Sequence, residues 1–227
     1  MKRAQIPEVV VPGKRLGRHV EHDPRSRTFE TPHANAPLVS AKWLRHSPPF
    51  DQGDLGSCTG NAMTGAVMTE PLFRGETLTE TDAIATYSEA TKLDGVRGVY
   101  PPTDTGSSGL AVARVAVRRG WIRAYAHAFS LQAALAALGR GPVIIGIGWY
   151  DSFDEPKGPA AELVIEPGAQ VRGGHEVELL EIDVAKRTVR GVNSWGTSWG
   201  AAGYFTISFD TLGKLLSEDG DCVVPRL

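Results

Sequence analysis

The chain changes character at Pro142, and that change limits the folds open to it. Four segments with helix signals lie before it. Ser57 is placed to cap a helix over 58–69, with Pro71 as the stop. Gly60, Ala62, Gly65 and Ala66 keep that helix slim enough to sit at the centre of the fold. Thr79, with Asp82 three residues on, reads as the capping box of a second helix. Ile84, Tyr87, Ala90 and Thr91 form its inward face, and Gly95 ends it. A third starts near Ser108, carries Leu110, Val112, Val115 and Ala116, and stops at Gly120; Ser130 caps a fourth, closed by Gly139. After Pro142 the signals are strands, over 143–147, 163–165, 175–182, 188–193 and 204–208. Within 175–182, Val177 and Leu179 fall on one side and Glu176 and Glu178 on the other, polar side, while 183–187 reads as the turn of an antiparallel hairpin. Helices first and strands afterwards indicate an α+β protein with two segregated halves and a cleft between them.

Residues 1–36 carry neither signal. Pro7, Pro12, Pro24 and Pro32 interrupt a segment with seven Lys/Arg and four Asp/Glu, which reads as an extended or partly disordered arm. The expected organisation is therefore an arm over 1–36 and a domain over 37–227, its helical half about 37–140 and its β-rich half about 141–227. The 227 residues are long enough for a real core. A net charge of -2 gives no general attraction to nucleic acid, and no apolar run approaches a membrane span. No secretory leader is legible at the start. Only two cysteines, Cys58 and Cys222, are present, which excludes a disulfide scaffold and points to a reducing, cytoplasmic setting.

Cys58 falls at a helix N-terminus, where the dipole and free backbone N–H groups favour the nucleophilic thiolate. His175 follows 117 residues later, after Gly173 and Gly174, and Asn193 comes 18 residues after that. Two strands joined by the 183–187 turn would let Asn193 accept from the His175 ring and aim it at the thiol. Taken singly, Cys58 would read as a core thiol, His175 as a structural histidine and Asn193 as a turn residue. His19, His22, His33, His46 and His127 show no metal-ligand spacing, so no metal and no cofactor is expected. Cys222 reads as a buried structural thiol.

Gln52-Gly53-x-x-Gly56-Ser57-Cys58, then Gly174-His175, then Asn193-Ser194-Trp195-Gly196-Thr197-Ser198-Trp199-Gly200-x-x-Gly203-Tyr204 resembles the papain-like cysteine peptidases. The resemblance runs from about residue 37 to about 208 and implies a two-lobed fold, a helical lobe facing an antiparallel β-rich lobe. It implies that Cys58 is the nucleophile, that His175 is its acid–base partner, and that Asn193 orients His175. Gln52 and the Cys58 N–H would hold the oxyanion. Trp195 would shield the Asn–His contact. Gly106, Ser107 and Gly174 would pair with an extended substrate, and Glu176 would stand beside the pocket for the second residue before the cleaved bond. For Glu176 a solvated carboxylate on the polar side of its strand is slightly preferred over a pocket carboxylate selecting a basic side chain.

There are departures from the pattern. Leu55 stands where the family usually has a bridged cysteine, and Thr59 where it has an aromatic. The spacings from Cys58 of 117 and 135 residues are shorter than the roughly 130–150 usual for the signature. Only about 36 residues precede the domain in place of a long inhibitory propeptide; the arm reads as a short inhibitory segment lying across the cleft or as a tether. The expected function is a cysteine-type endopeptidase working through a Cys58 thioester on peptide or protein substrates. The alternatives are a Cys/His amidase or peptide ligase, and an inactive peptidase-like binding module. The Ala-, Gly- and Arg-rich texture suggests a bacterial or phage source.

Overall fold

Segregation of helices and strands carries through to the computed structural model, which describes residues 2–32 and 35–227; Met1, His33 and Ala34, all within the arm, lie outside the described residues. In chain order the elements are β1 (Lys2–Gln5), β2 (His19–His22), a 3-10 turn (Pro24–Phe29), β3 (Ala41–Lys42), α1 (Cys58–Val67), α2 (Glu80–Ala90), α3 (Gly109–Arg118), β4 (Ala124–His127), α4 (Leu131–Leu138), β5 (Val143–Tyr150), β6 (Val171–Asp183), β7 (Thr188–Val192), β8 (Tyr204–Ser208), α5 (Phe209–Ser217) and β9 (Asp221–Arg226). One antiparallel sheet runs β4-β9-β5-β6-β7-β8, with β3 added against β6. None of the described helices is long and apolar enough to cross a membrane.

Local chemistry explains most boundaries. The Thr79–Asp82 capping box is formed, Ser108 Oγ accepts from Ala111 N, and Ser130 Oγ accepts from Ala133 N. The helix at Cys58 starts differently from expectation. Ser57 Oγ does not cap a backbone N–H; it accepts from Asn61 Nδ2 at 3.0 Å. All ten residues of α1 are buried, as its small side chains suggest; a Cβ at Gly60 would lie 2.9 Å from the Tyr87 Cβ of α2. Ile84 is not on the buried face of α2, which instead presents Ala83, Thr86, Tyr87 and Ala90, and the helix ends at Ala90 rather than Gly95.

The core of the β-rich half packs Ile145, Ile147, Trp149, Phe153, Val177 and Phe205 between the sheet and α4 and α5. A second cluster joins α1 and α3 to the face of the sheet carrying Ile144 and Val223. β6 and β7 form the expected hairpin, with Asp183 opposite Thr188. Residues 163–165 form no strand. Leu163 donates its N–H to Thr206 O at 2.9 Å and buries its side chain, so one anchored residue satisfies an otherwise irregular loop. Two elements of this half carry no clear sequence signal: α5, whose apolar face is short, and β9, which pairs with both β4 and β5 and so joins β4 to the rest of the sheet. Glu176 and Glu178 are also fully buried, because α1 covers the side of β6 that alternation marks as polar.

Candidate active site

Cys58, the first residue of α1, meets β6 where the strand carries His175 and Glu176. The backbone N–H of Glu176 faces the Cys58 sulfur. His175 lies opposite Ile147 in the β5–β6 ladder, so both strands fix its backbone. Asn193 follows β7 directly, and its N–H is held by Gly203 O at 3.0 Å. The hairpin thus brings together two residues 18 apart: His175 Nε2 donates to Asn193 Oδ1 at 2.7 Å, and the Ser194 N–H donates to the same oxygen at 2.7 Å. That bond fixes the tautomer, leaving His175 Nδ1 as a lone-pair nitrogen without a hydrogen-bond partner among the described residues. The Trp195 ring lies over His175 with centroids 5.1 Å apart, and Trp149 meets the imidazole edge-on at 4.7 Å.

Gln52 reaches the same place from the other side. Its Oε1 accepts from Ser194 Oγ at 2.5 Å, which aims Nε2 away from Ser194; Nε2 donates to Leu55 O at 2.8 Å. Leu16 O, from the arm, lies 3.5 Å from that same Nε2, a long contact.

The arm covers all of this. Gly17 N and Arg18 N both donate to Gly174 O, at 3.0 and 2.9 Å. His19 N donates to Ser107 O at 2.7 Å, and Ser107 N donates to Gly17 O at 2.8 Å. Trp195 Nε1 donates to Arg15 O at 3.0 Å. Buried Arg172 holds the preceding turn through Val9 O at 2.8 Å and Lys14 O at 2.7 Å. Gly17 threads the narrowest point at φ +144°, where a side chain would collide with the Gly56 carbonyl and lie 2.8 Å from Gly56 Cα. Gly106, at φ +71°, gives way on the opposite wall, where a Cβ would strike Gly17 O. Gly106, Ser107, Gly174 and Trp195 are therefore all arm contacts, reached mainly through main-chain groups.

Burial reverses the expected electrostatics. The helix N-terminus and the Glu176 and Thr59 N–H groups favour a thiolate, yet loss of solvent outweighs them and pushes the Cys58 thiol up. Burial likewise pulls His175 down to about 3, against the bond to Asn193, which raises it, and with the nearby Arg172 cation, which lowers it further. The covered pair is a neutral thiol and a neutral imidazole. Glu176 departs from its preferred reading as a solvated carboxylate: burial and the neighbouring Asp221 raise it well above the ordinary carboxyl range.

This architecture is found in solved structures. The fold is that of the papain-like cysteine proteases. Xylellain, a cysteine protease from Xylella fastidiosa, superposes with a TM-score of 0.68 at 20% identity, covering 100% of this chain and 98% of xylellain. Digestive procathepsin L 3 of Tenebrio molitor larval midgut gives 0.64 at 17% identity, covering 88% of this chain and 75% of that one. The bromelain protease from Ananas comosus, in complex with the E64 inhibitor, gives 0.56 at 16% identity, covering 82% and 99%. No protein-family model matches the sequence, and no curated protein sequence matches it.

Several residues around this site carry no role in the sequence reading. Asp104 ties the arm to two segments of the helical half: Gly56 N donates to it at 2.9 Å, Tyr87 Oη at 2.5 Å, and Arg15 pairs with it at 3.2 Å. Arg18 and Asp221 meet beside Glu176, one from the arm and the other from β9. Neither lies in a motif; only the hairpin-like pairing of β1 with β2 and the unanticipated β9 bring them there.

Proposed function

We propose that the chain is a cysteine peptidase whose N-terminal segment covers its own site. The observation that carries this reading is the 2.7 Å His175–Asn193 hydrogen bond, which leaves Nδ1 free on the residue preceding the N–H that faces the Cys58 sulfur. With the arm displaced, solvent returns and the Cys58–His175 proton transfer becomes favourable. The thiolate attacks a substrate carbonyl, and Gln52 Nε2 and the Cys58 N–H stabilise the oxyanion. His175 then protonates the leaving amine, giving a thioester that water hydrolyses. Asn193 holds the ring, and Trp195 keeps water from that contact. Ser107 and Gly174 offer a peptide the main-chain groups that the arm now engages. Both cysteines are free and buried, in keeping with a reducing compartment.

The test uses the full chain with Gly17→Ala to disfavour the covered state, on denatured casein and on peptidoglycan. Casein cleavage that disappears in Gly17→Ala/Cys58→Ala supports the peptidase. Cleavage of peptidoglycan alone makes the protein an amidase, and an inert chain with a slow Cys58 makes it a binding module.

A further inference from the structure

Next to the site, the arm places a cation in a chamber built from carboxylates. The Arg18 side chain is wholly buried, and its guanidinium enters the space bounded by Glu176 of β6, Asp221 of β9 and the glycines Gly146 and Gly109. Nη2 pairs with Asp221 Oδ2 and donates to Asp219 O at 2.8 Å. The lack of a side chain at two positions makes room for the charged groups. A Cβ on Gly146 would stand 2.8 Å from Glu176 Oε2 and 3.0 Å from Asp221 Oδ2; one on Gly109 would stand 2.6 Å from Glu176 Oε1.

The chamber holds more hydrogen-bonding capacity than Arg18 uses. Among the described residues, both Glu176 carboxyl oxygens are buried without a partner, as are Asp221 Oδ1 and the Nε and Nη1 of Arg18 itself. A guanidinium carries five N–H donors in a planar fork suited to carboxylates. Entering from the arm, Arg18 engages Asp221 and leaves Glu176 facing it unused. An apolar side chain here would leave the buried Glu176 carboxyl and the partly buried Asp221 with no cation between them, an arrangement that proteins seldom tolerate.

We propose that Glu176 and Asp221 form a selectivity pocket for an arginine or lysine side chain on the second residue before the cleaved bond, and that Arg18 is the resident stand-in for that side chain. The position follows from the proposed peptidase reading, on which this inference rests: Glu176 adjoins His175, and the backbone of the pocket's occupant bonds to Gly174, one residue before His175. Glu176 and Asp221 are specificity-determining groups, and neither acts in the bond-breaking step.

The experiment uses the full chain with Arg18→Ala, and Arg18→Met in parallel to keep the side-chain volume should the smaller variant not fold. Ethylguanidinium is the binding probe and N-ethylurea its neutral counterpart, read by thermal unfolding. Benzyloxycarbonyl-Arg-Ala and benzyloxycarbonyl-Leu-Ala amides of aminomethylcoumarin report selectivity. We expect millimolar ethylguanidinium to raise the melting temperature of the Arg18 variant, with no rise in the native chain or in the variant that also carries Glu176→Gln and Asp221→Asn. We expect kcat/KM for the Arg peptide to exceed that for the Leu peptide at least tenfold, and the preference to vanish in that triple variant. Equal cleavage of both peptides would overturn the pocket assignment and leave the peptidase standing. Stabilisation by ethylguanidinium without cleavage of either peptide would support the cation pocket and reject the peptidase. Neither stabilisation nor cleavage would overturn both.

Discussion

Replacing Gly17 with alanine should uncover the site without touching any residue that works in it. Gly17 sits at φ +144°, and an added Cβ would stand 2.8 Å from Gly56 Cα and closer still to its carbonyl oxygen. Both obstacles are backbone, so the arm must move rather than a rotamer. Backbone strain of this kind costs about 1–3 kcal/mol, and it falls only on the covered state. At about 1.4 kcal/mol per factor of ten, the uncovered fraction should rise about 5- to 150-fold. Four main-chain hydrogen bonds oppose release, between Gly174 or Ser107 and residues 17–19, each worth about 0.5–1.5 kcal/mol net. The arm should therefore open more often rather than detach. The assay is the rate of Cys58 alkylation by iodoacetamide, read by peptide mapping so that buried Cys222 is counted separately. Opening faster than labelling makes that rate proportional to the uncovered fraction. A labelling rate within twofold of the native chain, at unchanged melting temperature, would refute the argument that Gly17 is the tight point of the cover.

Other outcomes follow from the same geometry. In the uncovered peptidase, Gln52→Ala should lower kcat by about 10²–10³ with little change in KM, because the lost donor serves the oxyanion more than the bound carbonyl; an equal rise in KM would count against that role. His175 is depressed from 6.5 to about 3 on folding, so its contribution to stability is complete above pH 6.5 and is lost as pH falls toward 3, at about 1.4 kcal/mol per pH unit. Glu176 and Glu178 are shifted up and act in the opposite sense, so the comparison is with His175→Gln: the difference in urea unfolding free energy should carry that slope, and a flat difference contradicts it. Arg45→Met should cost about 3–5 kcal/mol by stranding buried Glu178, which otherwise pairs with Arg45 and accepts from Thr69 Oγ1 at 2.6 Å. Arg45→Met/Glu178→Leu should recover much of it in thermal denaturation, and a further loss in the double variant would contradict the pairing.

Legibility in the sequence tracked locality. The capping box at Thr79, the caps at Ser108 and Ser130, and the 183–187 turn are set by contacts within a few residues, and they appear where spacing puts them. Cys58, His175, Asn193 and Gln52 stood out because each sits in a short glycine-containing motif, that of Asn193 also carrying Trp195 and Trp199. Most of what failed was set by distant segments. Alternation marked Glu176 as polar-facing, yet α1 and the arm bury it. The N-terminus of α1 suggested a thiolate, yet complete burial of the thiol outweighs the dipole. Arg18 looked like one more charge in a basic tail, and only the return of the arm beside β9 turned it into a buried ion-pair partner of Asp221. The 163–165 run reads as a strand by composition but meets the edge strand β8 only through an isolated bridge at Glu162; Leu163 N donates to Thr206 O, and Val164 O accepts from Ser152 Oγ.

The central claim is that Cys58, once uncovered, breaks peptide bonds. Its most direct test is turnover of denatured casein by the full-length Gly17→Ala chain, followed by mass spectrometry of both the peptides and the intact protein. The account predicts new peptide termini at a rate that rises with the Cys58 alkylation rate, an acyl-enzyme mass on Cys58 during turnover, and loss of both in Gly17→Ala/Cys58→Ala. Peptide release that persists without the Cys58 thiol, or rapid Cys58 alkylation with no peptide release at all, would contradict it.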